Sequence, residues 1–395
     1  MFEPGKRLIS AGYRVFFFLA GAWAVAAMLL WELWLAGLRP EPYAMAASEW
    51  HAHELIFGYG SAALAGFLLT AAPNWTKARD ASTAFFAVVS GLWLAGRLAM
   101  WVSSALPLGL VALIDLTVLP VVAGKVLAML LKRPKPPQML ILAAIALIWV
   151  ADLFMHLDWL GLMPGAAFTG ARAGLLGLAA LIVILGGRVT PAFTRNAMIR
   201  TGREDRLPRN PMPLAAVSIA PALLAAPALL FGFDSLAAGL ALLAGAIALL
   251  RVALWRGGWT LGQPILWVLH LSYALNALGL VLWGLSGLGV EPEIVPEIAA
   301  LHLLAIGGIG GMTLAVMSRA ALGHSGRALV APRPVALAYG LVPLAALLRM
   351  LGALVPGLYL PALLAAGALW TLGFLLYTLA LTPVFWGAKV SAAKA

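Results

Sequence analysis

The chain has 395 residues, of which 63% are hydrophobic and only 10% charged, with a mean hydropathy of +0.98, which excludes a soluble globular domain and places it in a lipid bilayer. It contains no cysteine, which excludes a disulfide scaffold, a thiolate-held iron–sulfur cluster and a cysteine nucleophile. A net charge of +11 would suggest nucleic acid in a soluble protein, but these cations fall between apolar runs, where they set topology, so no nucleic-acid partner is expected.

Runs of about 20 apolar residues predict twelve membrane spans, near 14–37, 47–72, 82–104, 107–131, 138–157, 165–187, 211–231, 236–254, 262–288, 294–320, 333–354 and 360–386. The expected fold is all-α: one polytopic transmembrane domain over residues 1–395. Residues 1–12 lack an apolar stretch ending in a small-residue cleavage site, so the first span is expected to be permanent. Lys and Arg crowd alternate loops, with 22 on one side, from Lys6, Arg7 and Arg14 through Lys77, Lys135, Arg200 and Arg251 to Lys394. The other side has Arg39 alone, beside Asp158, Asp234, Glu291 and Glu293. The positive-inside rule then predicts both termini in the cytoplasm.

Three arginines fall inside spans: Arg97, Arg172 and Arg349, each in the outer third of the membrane by that topology. Charges there need partners. Two readings stand: pairing with acids at similar depth (Glu32, Asp115, Asp152), or receiving the carboxylates of an embedded cofactor, which suit a guanidinium fork.

The six histidines repeat that depth. His51 and His53 open the second span, His156 closes the fifth on the same side, and His302 lies about two turns into the tenth. His270 sits deeper, in the ninth, and His324 lies in a cytoplasmic loop. Imidazole is a common ligand for haem iron, copper and zinc, so the five intramembrane histidines are the candidate metal ligands. His51 and His53 point about 200° apart on a helix, so they are expected to serve two centres rather than grip one ion. Glu54, one turn beyond His51, and Asp152, one turn before His156, are placed to orient imidazoles. Tyr273 and Met312 are further candidates near a redox centre. The run Gly307-Gly308-Ile309-Gly310-Gly311 permits either close helix packing or clearance for a flat macrocycle. Spans two, six and ten are four apart and share a direction, which hints at three four-helix units in a pseudo-threefold arrangement.

The run from Glu49 to Tyr59 (EWHAHELIFGY), continued by Ala65 to Thr76 (AGFLLTAAPNWT), resembles the signature of the NnrS family. Gly186 to Asn196 (GGRVTPAFTRN), and His302 to Thr313 (HLLAIGGIGGMT) with Ser318 to Arg327 (SRAALGHSGR), resemble two further blocks of that family, in order. The resemblance implies a bacterial inner-membrane protein with haem, b-type by expectation, and copper, linked to denitrification and resistance to nitric oxide stress. Joined to the residue reading, it suggests haem held by His51 or His53 with His302, propionates directed to some of Arg97, Arg172 and Arg349, and copper on the remaining imidazoles. The haem–copper oxidases are an architectural analogy, with twelve spans and a His-x-His pair. They carry that pair on span ten, however, and need six intramembrane imidazoles where this chain has five.

Three functions follow. The first is a haem- and copper-binding membrane protein that binds or converts nitric oxide or a related nitrogen oxide, with an electron donor the sequence does not name. The second is a transporter of a metal or metal complex. The third is an assembly factor for a nitrogen-oxide reductase.

Overall fold

The computed structural model describes residues 4–38, 41–134 and 136–390. Arg39, Lys135 and Lys394, which entered the topology count, lie outside the described residues. The chain is 81% helical, with no strand among the described residues. Among the described residues, twelve helices are long and apolar enough to cross a membrane: α1 (Gly12–Leu35), α2 (Ala47–Thr76), α3 (Thr83–Trp101), α4 (Leu108–Lys132), α5 (Pro137–Trp159), α6 (Ala166–Arg200), α7 (Met212–Leu230), α8 (Asp234–Ala253), α9 (Pro264–Gly287), α10 (Glu297–His324), α11 (Arg333–Leu354) and α12 (Pro356–Trp386). They follow the twelve apolar runs. The largest extension is in α6, which continues past the apolar run ending at Gly187. There Thr190, Pro191, Thr194, Ala197 and Met198 are buried at helical spacing, so the helix persists by covering one face. At a rise of about 1.5 Å per residue, α6 spans about 52 Å, longer than the hydrocarbon core.

The chain divides into two compact units. The first comprises Met1–Gly174, Met317–Leu329 and Phe374–Ala395; the second comprises Leu175–Val316 and Val330–Gly373.

In the first unit, glycines let bulky side chains approach backbone. Gly66 of α2 receives the Phe17 ring of α1, and Gly21 of α1 faces Tyr377 and Thr378 of α12. Arg14, counted among the loop cations, is buried instead. Its Nη1 donates to the carbonyls of Phe385 (2.8 Å) and Gly387 (2.7 Å), groups left unpaired where α12 ends.

In the second unit, Ala237, Ala238, Ala241, Ala244, Gly245 and Ala248 form one buried stripe on α8. Gly284 of α9 lies against Ala238 and Leu242, and Gly245 lies against Ala277 and Val281. The glycine run of α10 is likewise filled by protein. Gly307 meets Leu275, Gly308 meets Asn276, Gly311 meets Ser272, and Gly310 meets Trp370 of α12. Helix packing, rather than a macrocycle, occupies that clearance.

Among the described residues, three helices carry a π-helical stretch: Glu54–Gly58 in α2, Ile182–Gly186 in α6 and Leu303–Gly310 in α10. They are also the most enclosed, with 72% of each apolar window buried. A π-stretch inserts a residue into the helical ladder, so nearby carbonyls need other donors. In α6 the donor is Arg251 of α8, which is 1% exposed. Its Nη1 donates to the Val183 carbonyl (3.3 Å), Ser218 Oγ (2.8 Å) and Tyr273 Oη (2.9 Å), and its Nη2 to the Gly187 carbonyl (3.1 Å). The topology count treats Arg251 as a loop cation; the structure buries it because these oxygens receive it. Arg251→Met strands these acceptors and should lower stability by about 2–4 kcal/mol. Gly187→Ala, whose new methyl would meet the guanidinium, should act in the same direction. A fall in the thermal transition of the detergent-solubilised protein would be the readout, and unchanged transitions in both variants would refute the clamp.

Candidate metal centre

Four helices of the first unit bring ionisable side chains to one place, each through a local feature. In α2 the regular helix ends at His53 and the π-stretch begins at Glu54, placing two adjacent residues at the same site. Arg97 lies on α3 next to Gly96, whose missing side chain lets Asp115 approach; an added Cβ would sit 3.0 Å from Asp115 Oδ1. Helix α4 is interrupted immediately after Asp115: Leu108–Asp115 and Val118–Lys132 are helical, with Leu116 and Thr117 between them. The break frees the Leu116 carbonyl, which accepts from Trp149 Nε1 at 2.9 Å. Asp152 and His156 stand one turn apart on α5.

The imidazoles and carboxylates converge. His53 Nε2 lies 3.0 Å from both Asp115 Oδ2 and Asp152 Oδ1. His156 Nε2 lies 3.0 Å from the same Asp115 oxygen and 4.0 Å from Asp152 Oδ1. One ligand atom from each of the four residues lies within 4.8 Å of the others. Behind them, Glu54 Oε1 is 3.1 Å from His53 Nδ1 and accepts from Arg97 Nη1 at 2.8 Å. Arg97 Nη2 pairs with Asp115 Oδ1. The His53 and His156 rings stand 5.5 Å apart at 83°, and the Trp159 edge packs on both, at 5.4 and 5.1 Å. Trp159 Nε1 in turn donates to Glu49 Oε2 at 3.0 Å.

Charge decides what such a cluster can do. Three carboxylates face one guanidinium, which leaves two negative charges if both imidazoles are neutral, and no ionisable member is more than 6% exposed. Uncompensated charge at that burial is costly. A dication, or one proton on each imidazole, balances it. His53 Nε2 can donate or accept only one proton, yet two carboxylates approach it equally, an arrangement that a cation between them satisfies. Two imidazoles and two carboxylates are a nitrogen and oxygen donor set suited to a divalent transition metal, copper among them. Glu54 on the far nitrogen of His53 completes the carboxylate–imidazole–metal relay found around such ions. A haem does not fit here, because the cavity beside the cluster has room for about one water-sized molecule.

The cluster thus unites His53, Glu54, Arg97, Asp152 and His156 of the residues expected from sequence, and adds Asp115. The sequence presents Asp115 only as an ion-pair partner for an arginine; an acid inside a membrane span was the available signal that it could be more. Glu54, expected against His51, turns to His53, because the π-stretch begins there. His51 instead stacks on Trp31 at 4.4 Å and 19°. Arg97 is ion-paired with acids, as the first of its two readings has it. Arg172 packs on Phe168, and Arg349 lies 5.3 Å from the centre of the Tyr359 ring. In the second unit, His302 Nδ1 bonds the Ile298 carbonyl one turn back at 2.8 Å, and His270 Nε2 bonds Thr194 Oγ1 at 2.9 Å. Tyr273 receives Arg251, and Met312 flanks Gly186 beside it. His324, in the first unit, stacks on Tyr13 at 5.7 Å.

The family model described as NnrS protein matches residues 7–389. The chain belongs to the NnrS family. No curated protein matches it. The NnrS match spans all twelve helices and so covers the positions of the cluster.

In this NnrS protein, Asp115→Asn and Asp152→Asn should each reduce tightly bound divalent metal to well below one per chain. Glu54→Gln should weaken binding about 10–100-fold while leaving the stoichiometry recoverable at high metal. Metal analysis after equilibrium dialysis distinguishes the two effects; wild-type metal content in both aspartate variants would exclude the carboxylates as ligands.

Proposed function

We propose that this chain is a multi-pass protein of the bacterial inner membrane, with both termini cytoplasmic, that binds or converts nitric oxide or a related nitrogen oxide at a protein-held metal centre. His53, Asp115, Asp152 and His156 hold the metal, and copper is the metal the family resemblance implies. The carrying observation is the buried convergence of two imidazoles and two carboxylates, all within 4.8 Å by one ligand atom each. When bound, a divalent copper supplies a Lewis-acidic, redox-active position for a nitrogen-oxide lone pair. The chain's own residues do the rest. Glu54 orients His53, Arg97 anchors Glu54 and Asp115, and Trp159 covers both imidazoles. The bilayer favours a neutral gas, and the apolar surroundings keep bulk water from the site. Haem, which the resemblance also implies, has no room at this cluster and takes no part in the reading.

Purified protein in detergent tests this. Copper near one per chain, with a spectrum that changes on adding nitric oxide and loses that change in His53→Ala, is the expected result. Folded protein that takes up no divalent metal would overturn it. A Soret band that survives His53→Ala unshifted would place any haem away from the cluster. The interruption of α4 at Asp115 favours one alternative, a metal transporter, since broken helices commonly line ion paths; metal flux into proteoliposomes would support that alternative instead.

A further inference from the structure

The cluster lies close to one end of each helix that builds it. At a rise of about 1.5 Å per residue, His53 is about 9 Å from the start of α2 at Ala47, and Asp115 about 10 Å from the start of α4 at Leu108. By the same measure Arg97 is about 6 Å from the end of α3 at Trp101, and His156 about 5 Å from the end of α5 at Trp159. The opposite ends of the four helices are about 20–35 Å away. The near ends are those that the proposed topology turns to the outer face. A cation therefore has a short way to the ligands from this side, and Trp159, which packs on both imidazoles, stands across it.

Helix geometry directs a side chain back over the preceding turn, so the indole of Trp159 covers His156 and reaches His53 of α2 as well. Its ring meets the two imidazoles edge to face, at 64° for His53 and 84° for His156. The imidazoles are 0% and 2% exposed, whereas Trp159 is half-buried and is followed by the exposed residues 160–165. The one polar atom of the indole bonds outside the cluster: Nε1 donates to Glu49 Oε2 at 3.0 Å. That oxygen also accepts from the Ala46 backbone N–H at 3.3 Å, which anchors Glu49 to the first turn of α2. Among polar contacts, turning the indole aside breaks its bond to Glu49 and none between the ligand atoms.

We propose that Trp159 is the cover of the metal centre and Glu49 its latch, and that a divalent cation enters and leaves the four ligands from this end when the indole turns aside. The inference rests on the metal-centre reading and adds the side from which the ion is loaded and the two residues that govern how fast. The space on the other side of the cluster, bordered by Asp115 and Asp152 and walled by Phe57, Leu119 and Trp149 among others, holds about one water. A hydrated cation does not pass through such a space, whereas an indole at a helix end needs only a side-chain rotation to clear the way. The latch touches no ligand atom, so its loss changes the rate of exchange and leaves the number of bound ions as it was.

The test uses full-length protein in detergent, loaded with Cu(II), freed of excess metal and mixed with excess EDTA. Release is followed by the loss of the protein-bound electron paramagnetic resonance signal. Trp159→Phe keeps an aromatic ring and removes the indole N–H, and Glu49→Ala removes the acceptor. Each should still bind one copper per chain and release it about 10-fold faster than wild type, the scale of one hydrogen bond. Trp159→Phe serves if loss of the acceptor at the start of α2 keeps Glu49→Ala from folding. The double variant should be no faster than the faster single one, because both changes break the same bond. Effects that multiply would overturn the latch, as would wild-type release in both variants. The chain has no cysteine, so Leu162→Cys with a membrane-impermeant maleimide counts the copies in proteoliposomes that turn this end outward. External EDTA should strip copper from that fraction alone, and copper lost from the complementary fraction would overturn the route. Wild type that binds no copper refutes the metal centre itself, and this inference with it.

Discussion

The constraint on which the first unit depends is electrostatic. Three carboxylates share an enclosed space with one guanidinium. Nothing about apolar helix packing requires such a group, and burying charge in a membrane protein opposes folding unless each ion is matched. The structure meets the demand locally. Arg97 bridges Glu54 and Asp115, and the two imidazoles stand among the remaining carboxylate oxygens. The glycine at 96 and the break in α4 make the approach possible. The same features hold the oxygens and nitrogens at separations suited to a cation, so the device that makes the charge tolerable is also the candidate functional centre.

The second unit handles a buried ion in another way. Arg251 has no carboxylate within ion-pair distance among the described residues and is surrounded by neutral oxygens, two of them backbone carbonyls at the π-stretch of α6. There the charge serves the backbone. In the first unit, the π-stretch of α2 instead places His53 and Glu54 together at a site with three carboxylates and one guanidinium. Similar interruptions of the helical ladder in α2, α6 and α10 therefore do different work: one at a candidate metal site, one clamped by an arginine, and one a glycine-rich surface filled by α9 and α12.

Much of the architecture could be read in the chain before any coordinates. Apolar runs separated by turn-formers fix twelve helices, because a bilayer leaves the backbone no other way to satisfy its hydrogen bonds. The spacing of His51 and His53 foretold rings pointing apart, and one does face Trp31 while the other faces the acids. Spans two, six and ten share π-stretches and high burial, features that no apolar run announces. The loop-cation count was less secure at its edges, since Arg14 and Arg251 carry the sign of loop residues but are buried, held by carbonyl groups that hydropathy does not register.

The sequence by itself determined the membrane fold, the helices and the short inventory of intramembrane charges and imidazoles, since each follows from composition and local periodicity. Only the tertiary structure decided which of those groups meet. Residues 53, 97, 115 and 152 lie on four helices, and no periodicity within one helix dictates its rotation against the next. That rotation is set by glycine contacts, a π-stretch and a mid-span break, which are properties of packing. For this reason Asp115 moved from a bystander to a member of the centre, and His53 parted from His51.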